Sequence, residues 1–95
     1  MRIRWTRRYL KELVAIADYI GERNPQAAAR IVNEIHTKTN KLLSANPFIG
    51  RVGEIKGTRE LVIPGTPYIV AYRVRDSEVD ILFVQHGARQ WPDEL

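Results

Sequence analysis

Ninety-five residues without a cysteine are enough for one domain and exclude disulfides and thiolate metal sites. Hydrophobic residues at 44% and charged residues at 27% match a soluble globular chain, and no apolar run approaches the roughly 18–20 residues of a membrane span. Fifteen Lys and Arg against eleven Asp and Glu leave a net charge of +4, with Arg2, Arg4, Arg7, Arg8 and Lys11 all near the N-terminus, a balance that serves solubility or steers the chain toward nucleic acid or an acidic protein.

Met1–Trp5 alternates Arg with apolar residues, as a half-buried strand does. It carries no apolar stretch of the kind a secretory leader needs, so a cytoplasmic location is expected. Thr6 can cap a helix whose apolar stripe runs through Leu10, Leu13, Val14, Ala17 and Ile20, widened by Tyr9 and Ile16. Gly21 and Asn24-Pro25 end it, and the same Asn-Pro pair opens a second helix at its N-cap and first turn. That helix carries Ala28, Ile31, Val32, Ile35, Thr39 and Leu42 on one face and stops at Asn46-Pro47. Two amphipathic helices joined by a few residues form an antiparallel hairpin, and neither can bury its stripe without a sheet or a partner. A domain this small hides only roughly 60–70% of its unfolded surface, so stabilisation by a partner is expected.

Gly50 to Gly57 reads as a loop, its three glycines breaking any period. Three strands follow: Thr58–Ile63, Tyr68–Arg75 and Glu78–His86, separated by Pro64-Gly65-Thr66-Pro67 and by Asp76-Ser77. Tyr68, Val70, Tyr72 and Val74 fall on one face of the middle strand. The short links imply an antiparallel meander. The fold class is α+β in the order β-α-α-β-β-β, a helical hairpin packed on a small antiparallel sheet.

Few residues suggest chemistry. His36 and His86 are fifty apart with no metal-ligand spacing, so neither a metal nor a cofactor is expected, and His36 reads as a residue on a solvated helix flank. The glycines have the wrong spacing for phosphate binding, and no nucleophile elbow occurs. Arg59, Arg73 and His86 form a candidate set for metal-free RNA cleavage: a base for the 2′-OH, an acid for the leaving oxygen, and a cation for the phosphorane. His86 has the titration range for an acid or base. Arg7, Arg8 and Lys11 open a helix where its dipole prefers negative charge, which marks them as candidate contact residues. Trp91 lies beyond the last element and reads as a lid folded back on the core or, with Arg89, as an anchor for a partner.

Several stretches together resemble the RelE/ParE superfamily of toxins from type II toxin–antitoxin systems, and within it the ParE-like branch. They are Ala17-Asp18-Tyr19-Ile20 with Asn24-Pro25-Gln26-Ala27-Ala28, then Leu43 through Arg51, Thr58 through Ile63, Tyr68 through Val74, and Ile81 through Pro92. The resemblance spans nearly the whole chain. It implies a toxin encoded beside a ParD-like antitoxin, whose C-terminal segment wraps the toxin and whose N-terminal part alone contacts operator DNA. It also implies association with plasmid stabilisation.

Mechanism divides inside the superfamily. RelE-like members cut messenger RNA on the ribosome; ParE-like members poison DNA gyrase. The nuclease branch uses basic residues on the sheet with a Tyr or His near the last strand, and Arg59 and His86 match those places. Ile69, however, stands where that branch often has a catalytic Arg, and Gly87 where some members have Tyr. The resemblance therefore implies a gyrase inhibitor with no catalytic residues of its own. The alternatives are a ribosome-dependent endoribonuclease using Arg59, Arg73 and His86, and an inactive toxin retained as an antitoxin-binding co-repressor.

Overall fold

A computed structural model describes residues 1–88, 91, 92, 94 and 95. Strand β1 (Arg2–Trp5) leads into helix α1 (Arg7–Gly21), which starts where expected: Thr6 is extended and its hydroxyl accepts the backbone N–H of Tyr9 at 3.3 Å. The same hydroxyl donates to the carbonyl of Ile81, pinning the helix start to the sheet. Asn24 caps helix α2 (Pro25–Ala45) by accepting the N–H of Ala27 at 3.1 Å, and Pro25 occupies the first turn. Asn46 closes the helix and accepts the N–H of Phe48 at 3.0 Å, turning the chain toward the sheet.

Four more strands follow: β2 (Arg51–Val52), β3 (Arg59–Val62), β4 (Tyr68–Arg75) and β5 (Glu78–His86). The last two have the bounds read from the sequence. Their two-residue turn places Asp76 at φ 54°, a left-handed conformation that Asp tolerates better than most side chains. Sheet order is β1-β5-β4-β3-β2.

The α+β class and the hairpin-on-sheet arrangement are as expected, with two differences in the sheet. First, β1 pairs in parallel with β5, from Arg2 opposite Glu78 to Trp5 opposite Ile81, so the sheet is mixed. The pairing closes the otherwise open edge of β5 with a strand distant in sequence. Second, Arg51–Val52, inside the stretch read as loop, adds a fifth strand antiparallel to β3. It is held by an ion pair from Arg51 to Glu60, its register partner, at 3.0 Å.

The core lies between hairpin and sheet. Tyr9, Leu13, Ile35 and Leu43 from the helices meet Leu61, Ile63, Val70, Tyr72, Val79, Ile81 and Val84. Tyr68, Val70 and Tyr72 belong to this core, with Val74 packed at its margin, as the alternation of β4 requires. A bulge in β5 then shifts the register: Ala71 faces Phe83 while Tyr72 faces Ile81, leaving Leu82 over. Phe83 thereby turns to the opposite face and forms a smaller cluster with Ile55, Ala71 and Leu82.

His36 is not on a solvated flank. Its Nδ1 lies 3.0 Å from the Tyr9 hydroxyl, and its ring packs 4.1 Å from that of Trp5. It follows Val32 by four residues, so it extends the apolar stripe of α2 rather than leaving it. Partial burial pushes its pKa below the ordinary histidine value.

Candidate functional site

The three candidate nuclease residues occupy three different environments. Arg59 opens β3 on the helix side, opposite Tyr72. Its guanidinium donates to the carbonyl of Gly50 at 2.9 Å and to that of Phe48 at 3.4 Å, and it lies 5.3 Å from the Phe48 ring centre. It clamps the loop that follows α2.

Arg73 points to the other face of the sheet. There its Nε donates to Asp80 at 3.1 Å. Asp80 is fully buried and also receives Nε of Arg4 at 2.9 Å, with a terminal nitrogen of Arg75 at 3.1 Å. The hydrogen bond from Arg4 is the main influence holding the Asp80 carboxyl below the usual carboxylate range, with burial opposing it and Arg73 and Arg75 reinforcing it. Sequence reasoning overlooked Asp80. It was legible, since a two-residue turn at Asp76-Ser77 sets Arg73 opposite Asp80.

His86 ends β5, exposed, four residues along β4 from the partner of Arg59: Tyr68 faces His86, while Tyr72 faces Arg59. Four residues of strand are roughly 13 Å. The His86 Nδ1 accepts the N–H of Ala88 at 3.1 Å, and the ring stands edge-on to Tyr68 at 5.6 Å. A cleft of about 490 Å³ lies beside it, walled by Ile16 and Tyr19 of α1 and by Tyr68 and Val84 of the sheet. Glu12 also lines it and accepts the N–H of Val84 at 3.1 Å. The geometry does not bring Arg59, Arg73 and His86 together.

Among the candidate contact residues, two converge. Arg8 places its guanidinium 4.4 Å from the centre of the Phe83 ring, and Trp91 packs on the same ring at 5.2 Å. Trp91 is half-buried there, covering the smaller cluster as a lid. Arg7 and Lys11 are exposed on α1. Arg89 lies outside the described residues. Among the described residues, no three His, Asp or Glu side chains gather as metal ligands, and no helix is long and apolar enough to cross a membrane.

Comparison with known proteins gives a consistent family. The family described as the ParE toxin of the type II toxin–antitoxin system parDE matches residues 3–91. The chain is 48% identical over 94 residues to a protein of Sinorhizobium fredii bearing the toxin name Y4kP, covering 99% of this chain and 96% of that one. It is 38% identical over 85 residues to the toxin RelE2 of Caulobacter vibrioides, covering 90% and 93%. A solved chain of the chromosomal ParDE system from P. aeruginosa superposes with a TM-score of 0.83 at 31% identity, over 90% of this chain and 95% of that one.

Proposed function

This chain belongs to the ParE toxin family of type II toxin–antitoxin systems, and from that premise we propose that it poisons by binding: it inhibits DNA gyrase in the cytoplasm, has no active site of its own, and is neutralised by a cognate ParD-like antitoxin. The observation that carries this reading is the separation of the candidate nuclease residues. Arg59 is occupied by two loop carbonyls, Arg73 by a buried carboxylate on the opposite face, and His86 stands at the far end of the strands. A binding mechanism needs no such set to be assembled. The likeness to a solved ParDE chain supports an antitoxin partner, through which operator DNA would be reached. A small domain with a cleft between helix and sheet suits a segment that folds on contact.

The name RelE2 on one relative favours a second reading, ribosome-dependent RNA cleavage with His86 as acid or base. Induction of the His86→Ala variant, alone and with Arg59→Ala, separates the two. The binding reading predicts growth arrest within about threefold of wild type, whereas loss of a general acid–base costs roughly 10²–10⁴-fold. Arg59→Ala also loosens the Gly50 loop, so the single His86→Ala variant, checked by thermal melting, decides. Lost toxicity in that folded variant would overturn the gyrase reading.

A further inference from the structure

The helix-free face of the sheet carries four arginines around one buried carboxylate. The strand register sets Arg2 and Arg75 on either side of Glu78, and Arg4 and Arg73 on either side of Asp80, all on one face. Four positive and two negative groups leave a local excess of +2. One bidentate arginine would have sufficed to satisfy Asp80. Two more guanidiniums are brought to the same carboxylate, where they repel each other.

The way they are held is informative. Arg4 and Arg73 each spend Nε–H on Asp80, at 2.9 and 3.1 Å. Among the described residues, the terminal nitrogens of these two side chains take no hydrogen bond, and the side chains remain 47% and 32% exposed. Arg75 is 53% exposed. The buried carboxylate thus acts as a peg that fixes the forks while leaving outward donors. A guanidinium fork matches phosphate geometry, and fixing it beforehand lowers the entropy lost on binding. The patch is a strip across β1, β5 and β4 rather than a hollow, so it suits a polymer of repeated charges more than a single small anion.

We propose that this four-arginine strip binds the phosphodiester backbone of nucleic acid, with Asp80 as the positioning residue that orients the guanidiniums of Arg4, Arg73 and Arg75. The proposal stands apart from the choice of toxic target, since it concerns a surface remote from His86 and the cleft.

Fluorescence anisotropy of the full chain with a labelled DNA duplex and a labelled single-stranded RNA, titrated at several salt concentrations, tests it. Arg2→Gln with Arg75→Gln removes the Arg75 ion pair but leaves Asp80 its bonds from Arg4 and Arg73. Losing two phosphate contacts should reduce the slope of log K against log salt by about 1.8 for duplex DNA or about 1.4 for the single strand, with affinity at low salt falling at least about tenfold. The tighter polymer names the source of the phosphates. Arg30→Gln with Lys41→Gln removes the same charge from the exposed side of α2 and should leave the slope unchanged. Equal losses in both double variants would mean diffuse attraction and overturn the proposal, as would no binding of either polymer by the wild type. Should the first pair lower the melting temperature, Arg2→Gln alone, whose target is exposed, should still reduce the slope by about 0.7–0.9.

Discussion

Asp80→Asn should lower the stability of the chain by about 2–3 kcal/mol, toward the lower end for breaking a buried ion pair because the arginine partners can turn to solvent. In a domain of this size each kcal/mol shifts Tm by about 4–8 °C, so thermal melting should register a drop of roughly 8–24 °C. The effect carries a pH signature. The folded carboxyl is held below its ordinary pKa, chiefly by the hydrogen bond from Arg4. Its contribution is therefore complete above the unfolded value of about 4 and disappears as pH falls through the lower folded value. Wild type and variant should differ fully at pH 7 and converge in acid. A gap that stays constant down to pH 2 would show that Asp80 acts through shape rather than charge.

The second large effect is expected at Gly50. Its N–H donates to the Tyr72 hydroxyl at 2.9 Å, and its carbonyl receives Arg59 at 2.9 Å. A Cβ there would lie 2.6 Å from the Tyr72 hydroxyl, 2.7 Å from its ring and 2.8 Å from the carbonyl of Glu60. Tyr72 is fully buried and Glu60 contributes backbone, so none of these can yield cheaply. Gly50→Ala should cost about 3 kcal/mol, the upper range for overpacking. In melting experiments that is roughly 12–24 °C. Adding Tyr72→Phe removes only the hydroxyl; two of the three close contacts persist, so the double variant should not recover wild-type stability. Full recovery would show that the hydroxyl alone creates the constraint.

These sites mark where the sequence was legible. The helix limits follow from local chemistry: Thr6, Asn24-Pro25 and Asn46-Pro47 act within a few residues of themselves, and the side-chain caps at Thr6 and Asn24 form as read. Likewise β4 and β5 are delimited by turn residues, and their alternation shows which face meets the helices. What escaped is non-local or breaks a period. Nothing near Arg2–Trp5 announces that its partner is β5, since parallel pairing joins strands far apart in the chain. The two residues of β2 are too few to show alternation. The bulge at Leu82 reverses the facing of Phe83, so the landing place of Arg8 and Trp91 could not be counted along the strand.

For the candidate site, residue types were legible but engagement was not. Arg59 and Arg73 both lie on strands and are equally basic. Only the alternation of faces, and the carbonyls of a loop nine residues earlier, distinguish a clamp from an ion pair. His36 was misjudged because a histidine at the margin of an apolar stripe is polar in composition yet aromatic in packing; Trp5 and Tyr9 supply the ring surface that draws it inward.

The most direct test of the central claim is pulse-labelling of new DNA and new protein in the first minutes after this chain is induced alone in bacteria. Gyrase inhibition predicts that DNA synthesis falls first while protein synthesis continues. Protein synthesis failing first, with DNA synthesis still running, would contradict the account and direct attention to His86 on the ribosome.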